Sequence, residues 1–231
     1  HHDRTMAMDR ELVVEFLKAT QPDDWAKLID HYAGQAEDTL FAQLTRALKD
    51  QGSHMGLYHG RITIQKGVDY FVRAAARVLT VEPNTIFVIS GWGDMQPQIA
   101  ALVGELGLSQ HVLFAGALWD EERDRMYQTA DLVVMPSVSE PFGLVPLEAL
   151  QNGTASLISK QSGVGEVMPH VLRADFWDIE EIANQIVAAL RYPVLNQQLV
   201  LEGRERLHFL SWRFVAHKVK ALYQRLVQLL T

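Results

Sequence analysis

From Gly56 onward, short apolar runs alternate with segments of helical period, and this alternation confines the chain to few folds. Strand-like runs lie near Leu57–Ile62, Thr85–Ser90, His111–Ala115, Leu132–Met135 and Ala155–Ile158, with a shorter one at Val171–Ala174. Strands joined through helices are parallel, and the helices then cover both faces of the sheet. The expectation is an α/β fold with a Rossmann-like parallel sheet over residues 57–231. Beyond the last strand the chain reads as helical. Asp178 with Glu181 forms a capping-box-like start for a helix through Leu190, and helices follow at Leu195–Leu207 and Trp212–Leu229. The stripe Leu207, Leu210, Phe214, Val219, Leu222 and Leu226 is expected to pack, with part of the last helix's apolar face exposed or covered by residues 1–51.

Residues 1–51 carry helical periodicity only. Leu12, Val13, Phe16 and Leu17 share one face; Trp25, Leu28, Ile29 and Tyr32 share another; Leu40, Phe41, Leu44 and Leu48 mark a third helix. They read as a small helical add-on segment. Residues 52–56 read as a junction, because Gly52-Ser53-His54-Met55 spells the scar of a common expression vector. An artificial joining of residues 1–51 to the rest is expected from it.

The stretch Ser139-Glu140-Pro141-Phe142-Gly143-Leu144-Val145-Pro146-Leu147-Glu148-Ala149-Leu150 carries the most chemistry. Pro141 and Gly143 place a tight turn after Glu140. A helix beginning near Gly143 would aim unpaired N–H groups forward, with Glu140 at its lip and Glu148 about two turns further along. Leu132–Met135 reads as a buried strand, so the turn lies at a strand's carboxyl end, where open α/β sheets bind ligands. Carboxylates bind hydroxyls and helix N-termini bind phosphate. A ligand carrying both, such as a nucleotide sugar, fits. Arg61 can fork onto phosphate oxygens and Lys66 adds a point charge.

The bulk properties set outer limits. The chain has 231 residues, 48% of them hydrophobic, so it can build a core. A net charge of −7 argues against a nucleic-acid partner. There is no cysteine, so thiolate chemistry is out. No apolar stretch approaches the ~20 residues of a membrane span, and no signal peptide is visible. A cytoplasmic protein is expected. The nine histidines show no HExxH-like spacing, and neither a metal nor any other cofactor is expected.

Residues 57–228 resemble the C-terminal donor-binding domain of GT-B retaining glycosyltransferases, the glycogen-synthase-like and group 1 enzymes. The resemblance rests on Gly60-Arg61 with Gln65-Lys66-Gly67, on Val88-Ile89-Ser90-Gly91-Trp92-Gly93 and on Val112-Leu113-Phe114-Ala115-Gly116. It rests further on the Glu140–Glu148 stretch, on Gly153-Thr154-Ala155 and on Gly163-Val164-Gly165-Glu166-Val167. It implies a single GT-B half from a retaining hexosyltransferase, with a nucleotide diphosphate sugar such as a UDP- or ADP-sugar as donor. It assigns Arg61 and Lys66 to the diphosphate, Glu140 to the donor sugar and Glu148 to the ribose. The backbone of Phe142, Gly143, Leu144 and Val145 would meet sugar and phosphate, and the base would lie near Leu118 and Trp119. Gly91-Trp92-Gly93 lacks the third glycine of a dinucleotide fingerprint, since Gln96 stands there, and is expected to be a turn lining the donor cleft.

A GT-B enzyme needs a second Rossmann-like domain for its acceptor, and residues 1–51 show no strand pattern. The expectation is a donor half-site with little or no transferase activity alone. Residues 9–51 resemble a helical segment near the N-terminus of type I restriction enzyme R subunits, through Phe16-Leu17-Lys18-Ala19-Thr20-Gln21-Pro22, Trp25 and Phe41–Leu48. The alternative is an engineered chimeric scaffold without selected function. Exposed apolar surface makes a homo-oligomer an expected partner state.

Overall fold

The computed structural model describes residues 49–50 and 52–230. The helices expected within residues 1–48, and the likeness to restriction subunits, lie outside the described residues. Six strands, β1 (His54–His59), β2 (Thr85–Ser90), β3 (Val112–Gly116), β4 (Leu132–Met135), β5 (Ala155–Ser159) and β6 (Leu172–Ala174), form one sheet in the order β3-β2-β1-β4-β5-β6. All neighbouring pairs are parallel. The connections run through helices α1 (Val68–Leu79), α2 (Gln96–Glu105), α3 (Asp120–Thr129), α4 (Val145–Gln151) and α5 (Ile179–Arg191). The chain ends in α6 (Pro193–Leu207), a single turn at His208–Leu210, and α7 (Trp212–Leu230).

Parallel strands covered on both faces read as unbroken apolar runs, and β2 (Thr-Ile-Phe-Val-Ile-Ser) is buried at every position. Alternate residues face opposite ways. Met55 and Leu57 join a cluster with Val88, Leu113, Met126 and Tyr127 of α3 and Ala149 of α4. Tyr58 joins the opposite cluster with Phe71 of α1, Phe87 and Ile186 of α5. The sheet is thus sandwiched, with α1, α2 and α5 on one face and α3 and α4 on the other. α1 buries Val68, Phe71, Val72, Ala75 and Val78, the spacing of a single helical face.

β1 begins at His54, not at Leu57, and ends at His59 rather than Ile62. Residues 54–56 of the expected junction are therefore strand. His54 and Met55 pair with Thr85 and Ile86, and the Met55 N–H donates to Asp131 Oδ2 at 2.7 Å. At the other end the Tyr58 hydroxyl donates to the Arg61 carbonyl at 2.6 Å, and residues 60–62 lie beyond the strand. The Asp178 cap forms, accepting from the Glu181 N–H at 3.0 Å, while the Glu181 side chain accepts from Gln185 instead of closing the box.

Of the stripe expected to pack, only part does. Leu207 and Leu210 do pack, against a cluster of Leu150, Ile158 and Met168. Val219, Leu222 and Leu226 are exposed. Among the described residues the main contact of α7 is the turn at His208–Leu210.

Candidate functional site

The strand order reverses between β1 and β4, so the connections leaving these neighbours run to opposite faces of the sheet. Such a crevice is where open α/β sheets bind ligands. Here the segments following β1 and β4 are laced together. The Val138 N–H donates to the Gln65 carbonyl at 2.9 Å, and Gln65 Nε2 donates to the Ser139 carbonyl at 3.0 Å. Lys66 and Glu140 then form an ion pair across the crevice, both side chains mostly shielded from solvent.

Glu140 does not stand on a helix. It makes a parallel bridge to Ser162, and its carbonyl accepts from the Gly163 N–H at 3.0 Å. The Phe142 carbonyl accepts from the Val164 N–H at 2.7 Å. The chain then turns at Gly143, whose φ of +99° is a conformation side chains rarely adopt. A Cβ there would lie 2.8 Å from Met135 Cε and 3.2 Å from Glu140 Cγ.

The helix expected near Gly143 starts at Val145, with Leu144 as its N-cap and Pro146 in its first turn. Glu148 therefore lies in the first turn of α4, not two turns along. Among the described residues, no acceptor takes the N–H of Phe142, Gly143, Leu144 or Val145.

Glu148 is gripped from α3. The Tyr127 hydroxyl donates to Glu148 Oε2 at 3.0 Å, and Arg123 Nη1 lies 3.7 Å from Oε1. The Tyr127 ring meets His59 edge-on, with centroids 5.5 Å apart. His59, at the end of β1, bonds to Ser90 Oγ at 3.0 Å. Burial pushes the His59 pKa below its ordinary value; the nearby Glu148 pulls the other way and Arg123 reinforces the drop. Burial, then Glu148, pushes the Tyr127 phenol well up, so it stays a proton donor.

The remaining expected residues ring the same edge. Arg61 is exposed and its guanidinium has no partner among the described residues. Gly91 has a φ of +137°, and a Cβ there would sit 1.8 Å from the Gly60 carbonyl oxygen. The loop after β2 is thereby pressed against the loop carrying Arg61, and the Ile62 N–H donates to the Trp92 carbonyl at 3.0 Å. Leu118 is a core side chain packed with the cluster around Tyr127, whereas Trp119 beside it is 67% exposed.

Residues 43–206 match the family described as glycosyl transferases group 1. The chain belongs to this family. A glycogen synthase of Mycobacterium tuberculosis is 30% identical over 171 residues, covering 72% of this chain and 41% of that protein. An uncharacterized glycosyltransferase of Methanocaldococcus jannaschii is 40% identical over 116 residues, which is 50% of this chain and 30% of that protein. This group 1 chain thus spans less than half the length of these curated relatives. Among solved structures, sucrose-phosphate synthase of Thermosynechococcus elongatus matches with a TM-score of 0.68 and 25% identity, covering 99% of this chain and 64% of that one. The C-terminal domain of a group 1 glycosyl transferase (LpcC) from Francisella tularensis matches with a TM-score of 0.62 and 22% identity, covering 71% of this chain and 90% of that one.

Among the described residues of this group 1 chain, no cluster of three or more His, Asp or Glu could hold a metal ion, and no helix is long and apolar enough to cross a membrane. His59, Arg123 and Tyr127 were not singled out from the sequence. Arg123 and Tyr127 stand four apart on a helix, which puts them on one side of it. Nothing in the sequence pairs that side with Glu148.

Proposed function

We propose that the crevice between β1 and β4 binds the nucleoside diphosphate of a sugar donor, and that the domain is the donor half of a retaining glycosyltransferase. One observation carries this reading. Four backbone N–H groups without acceptors among the described residues, those of residues 142–145, lie beside the Lys66–Glu140 pair at the strand-order reversal. Preorganised amides and cations are suited to the charge that grows on a departing diphosphate. Arg61 and Lys66 supply the cations. Glu140 faces the sugar, Glu148 takes the ribose hydroxyls, and the exposed Trp119 lies near the base, with Leu118 beneath it. Two further neighbours point the same way. TarM of Staphylococcus aureus and HepE of Anabaena, with TM-scores of 0.65 and 0.65, were each solved in complex with UDP.

Turnover requires an acceptor wall in addition, so this chain binds donor and transfers little or no sugar alone. Calorimetry with UDP, ADP and GDP tests the reading. Saturable binding of one of them, lost in Arg61→Ala and in Glu148→Ala, supports it. Absence of binding to all three favours a scaffold without biochemical function, and robust transfer by the chain alone contradicts the half-site.

A further inference from the structure

Glu148 is the carboxylate the donor reading assigns to the ribose, yet both of its oxygens are already engaged from α3. Tyr127 Oη holds Oε2 at 3.0 Å and Arg123 approaches Oε1 at 3.7 Å. A free glutamate side chain samples many rotamers, and fixing it on ligand binding costs conformational entropy. A carboxylate fixed beforehand avoids that cost at the moment of binding. A carboxylate has about four lone-pair sites, so a phenol on one oxygen leaves room for two vicinal hydroxyls.

The brace is itself rigid. Tyr127 is fully buried, and its backbone carbonyl accepts from Thr154 Oγ1, which ties α3 to the start of β5. Its ring is backed by His59, which is bonded to Ser90 Oγ, and Ser90 Oγ in turn donates to the Gly116 carbonyl at 3.2 Å. Gln128 and Asn152 join α3 to the end of α4 at 3.0 Å. The position of the phenol is thus set by β1, β2, β3, β5 and two helices. A tyrosine needed only to fill the core would not require its hydroxyl on a half-exposed carboxylate.

We propose that Tyr127 is the positioning residue for Glu148, holding the carboxylate ready for the ribose hydroxyls of the donor nucleotide, with Arg123 as a second brace. This rests on the donor reading above. The hydroxyl of Tyr127 does not touch the nucleotide. It sets the direction of the Glu148 oxygens, and phenylalanine in its place keeps the ring against His59 while freeing the carboxylate.

The test is a set of titrations of UDP, ADP and GDP and of their 2′,3′-dideoxy counterparts into the wild-type chain and into Tyr127→Phe. Loss of a hydrogen bond to a charged group should weaken the preferred nucleotide about tenfold. The dideoxy analogue, already weaker, should bind both proteins alike. Arg123→Gln should show the same ribose-dependent loss in smaller measure. Equal loss for both nucleotide types assigns Tyr127 to general packing and overturns the proposal. Unchanged affinity in Tyr127→Phe, with binding still lost in Glu148→Ala, overturns it while the donor reading stands. No nucleotide binding by the wild-type chain sinks both. Should Tyr127→Phe fail to fold, Arg123→Gln carries the same ribose-dependent comparison.

Discussion

Lys66 and Glu140 neutralise one another across the crevice, so neither charge is fully available to a ligand. Lys66 comes from the single turn after β1, Glu140 from the segment after β4, and neither side chain is more than about a quarter exposed. A diphosphate entering beside them must draw Lys66 away from Glu140 while Glu140 repels it. The two halves of the pair therefore have opposite effects. Glu140→Gln should tighten binding of free UDP about two- to fivefold, the scale of a partly exposed ion pair. Lys66→Met should weaken it about tenfold. Calorimetry on the two variants checks the signs, and weakening by Glu140→Gln would sink this account. Of these residues, Arg61, Lys66, Glu140 and Glu148 were legible because cations and carboxylates stand out next to glycine and proline turns. Tyr127 and His59 were not, because a buried aromatic in a helix and a histidine ending a strand look like ordinary core until the carboxylate is in place beside them.

At the scale of elements, the turn at Gly143 decides where α4 begins. Its φ of +99° lets the chain leave Phe142, which is bonded to Val164, and enter the helix at Val145 within three residues. Alanine there must carry a Cβ 2.8 Å from Met135 Cε, the mobile end of a side chain, and 3.2 Å from Glu140 Cγ. The steric clash is partly relieved by Met135; the backbone strain is not. Gly143→Ala should cost about 1–3 kcal/mol in urea unfolding and should also weaken nucleotide binding, since the amides of residues 142–145 turn with the backbone. A variant with lower stability and unchanged affinity would show that these amides do not meet the ligand. The strands were mostly legible at this scale. β2, β4 and β5 are short apolar runs flanked by turns, and their limits differ from expectation by at most one residue. β1 was misplaced because His54 and Gly56 interrupt its apolar run, whereas the partner strand β2 and the Asp131 carboxylate that fix its start are distant in sequence. For α7 the sequence left packing and exposure both open, because an apolar stripe shows what a helix can bury and not whether anything covers it.

At the scale of the molecule, the site is part of the fold's stability, through His59. Its ring lies where β1, β2 and α3 meet, bonded to Ser90 Oγ and in edge contact with Tyr127. Burial is the largest influence and outweighs Glu148, so the folded state keeps the imidazole neutral below its ordinary pKa of about 6.5. With the folded pKa below the unfolded one, the unfolded chain binds more protons in the window between them. The contribution of His59 is thus fully present above about pH 6.5 and is lost as the pH falls through that window. Carboxylates that titrate lower add their own losses, so the wild-type profile alone does not isolate the ring. Comparison with His59→Gln does. The variant should be less stable than the wild-type chain at pH 7.5, through lost packing on Tyr127, and that gap should narrow at pH 6.0 and narrow further at pH 5.5. Urea unfolding at the three pH values measures it. A gap that stays constant, or widens on acidification, would mean that His59 is protonated in the folded state. The neutral ring backing Tyr127 could then not stand as described, and the acid sensitivity of the molecule would have to come from its carboxylates alone.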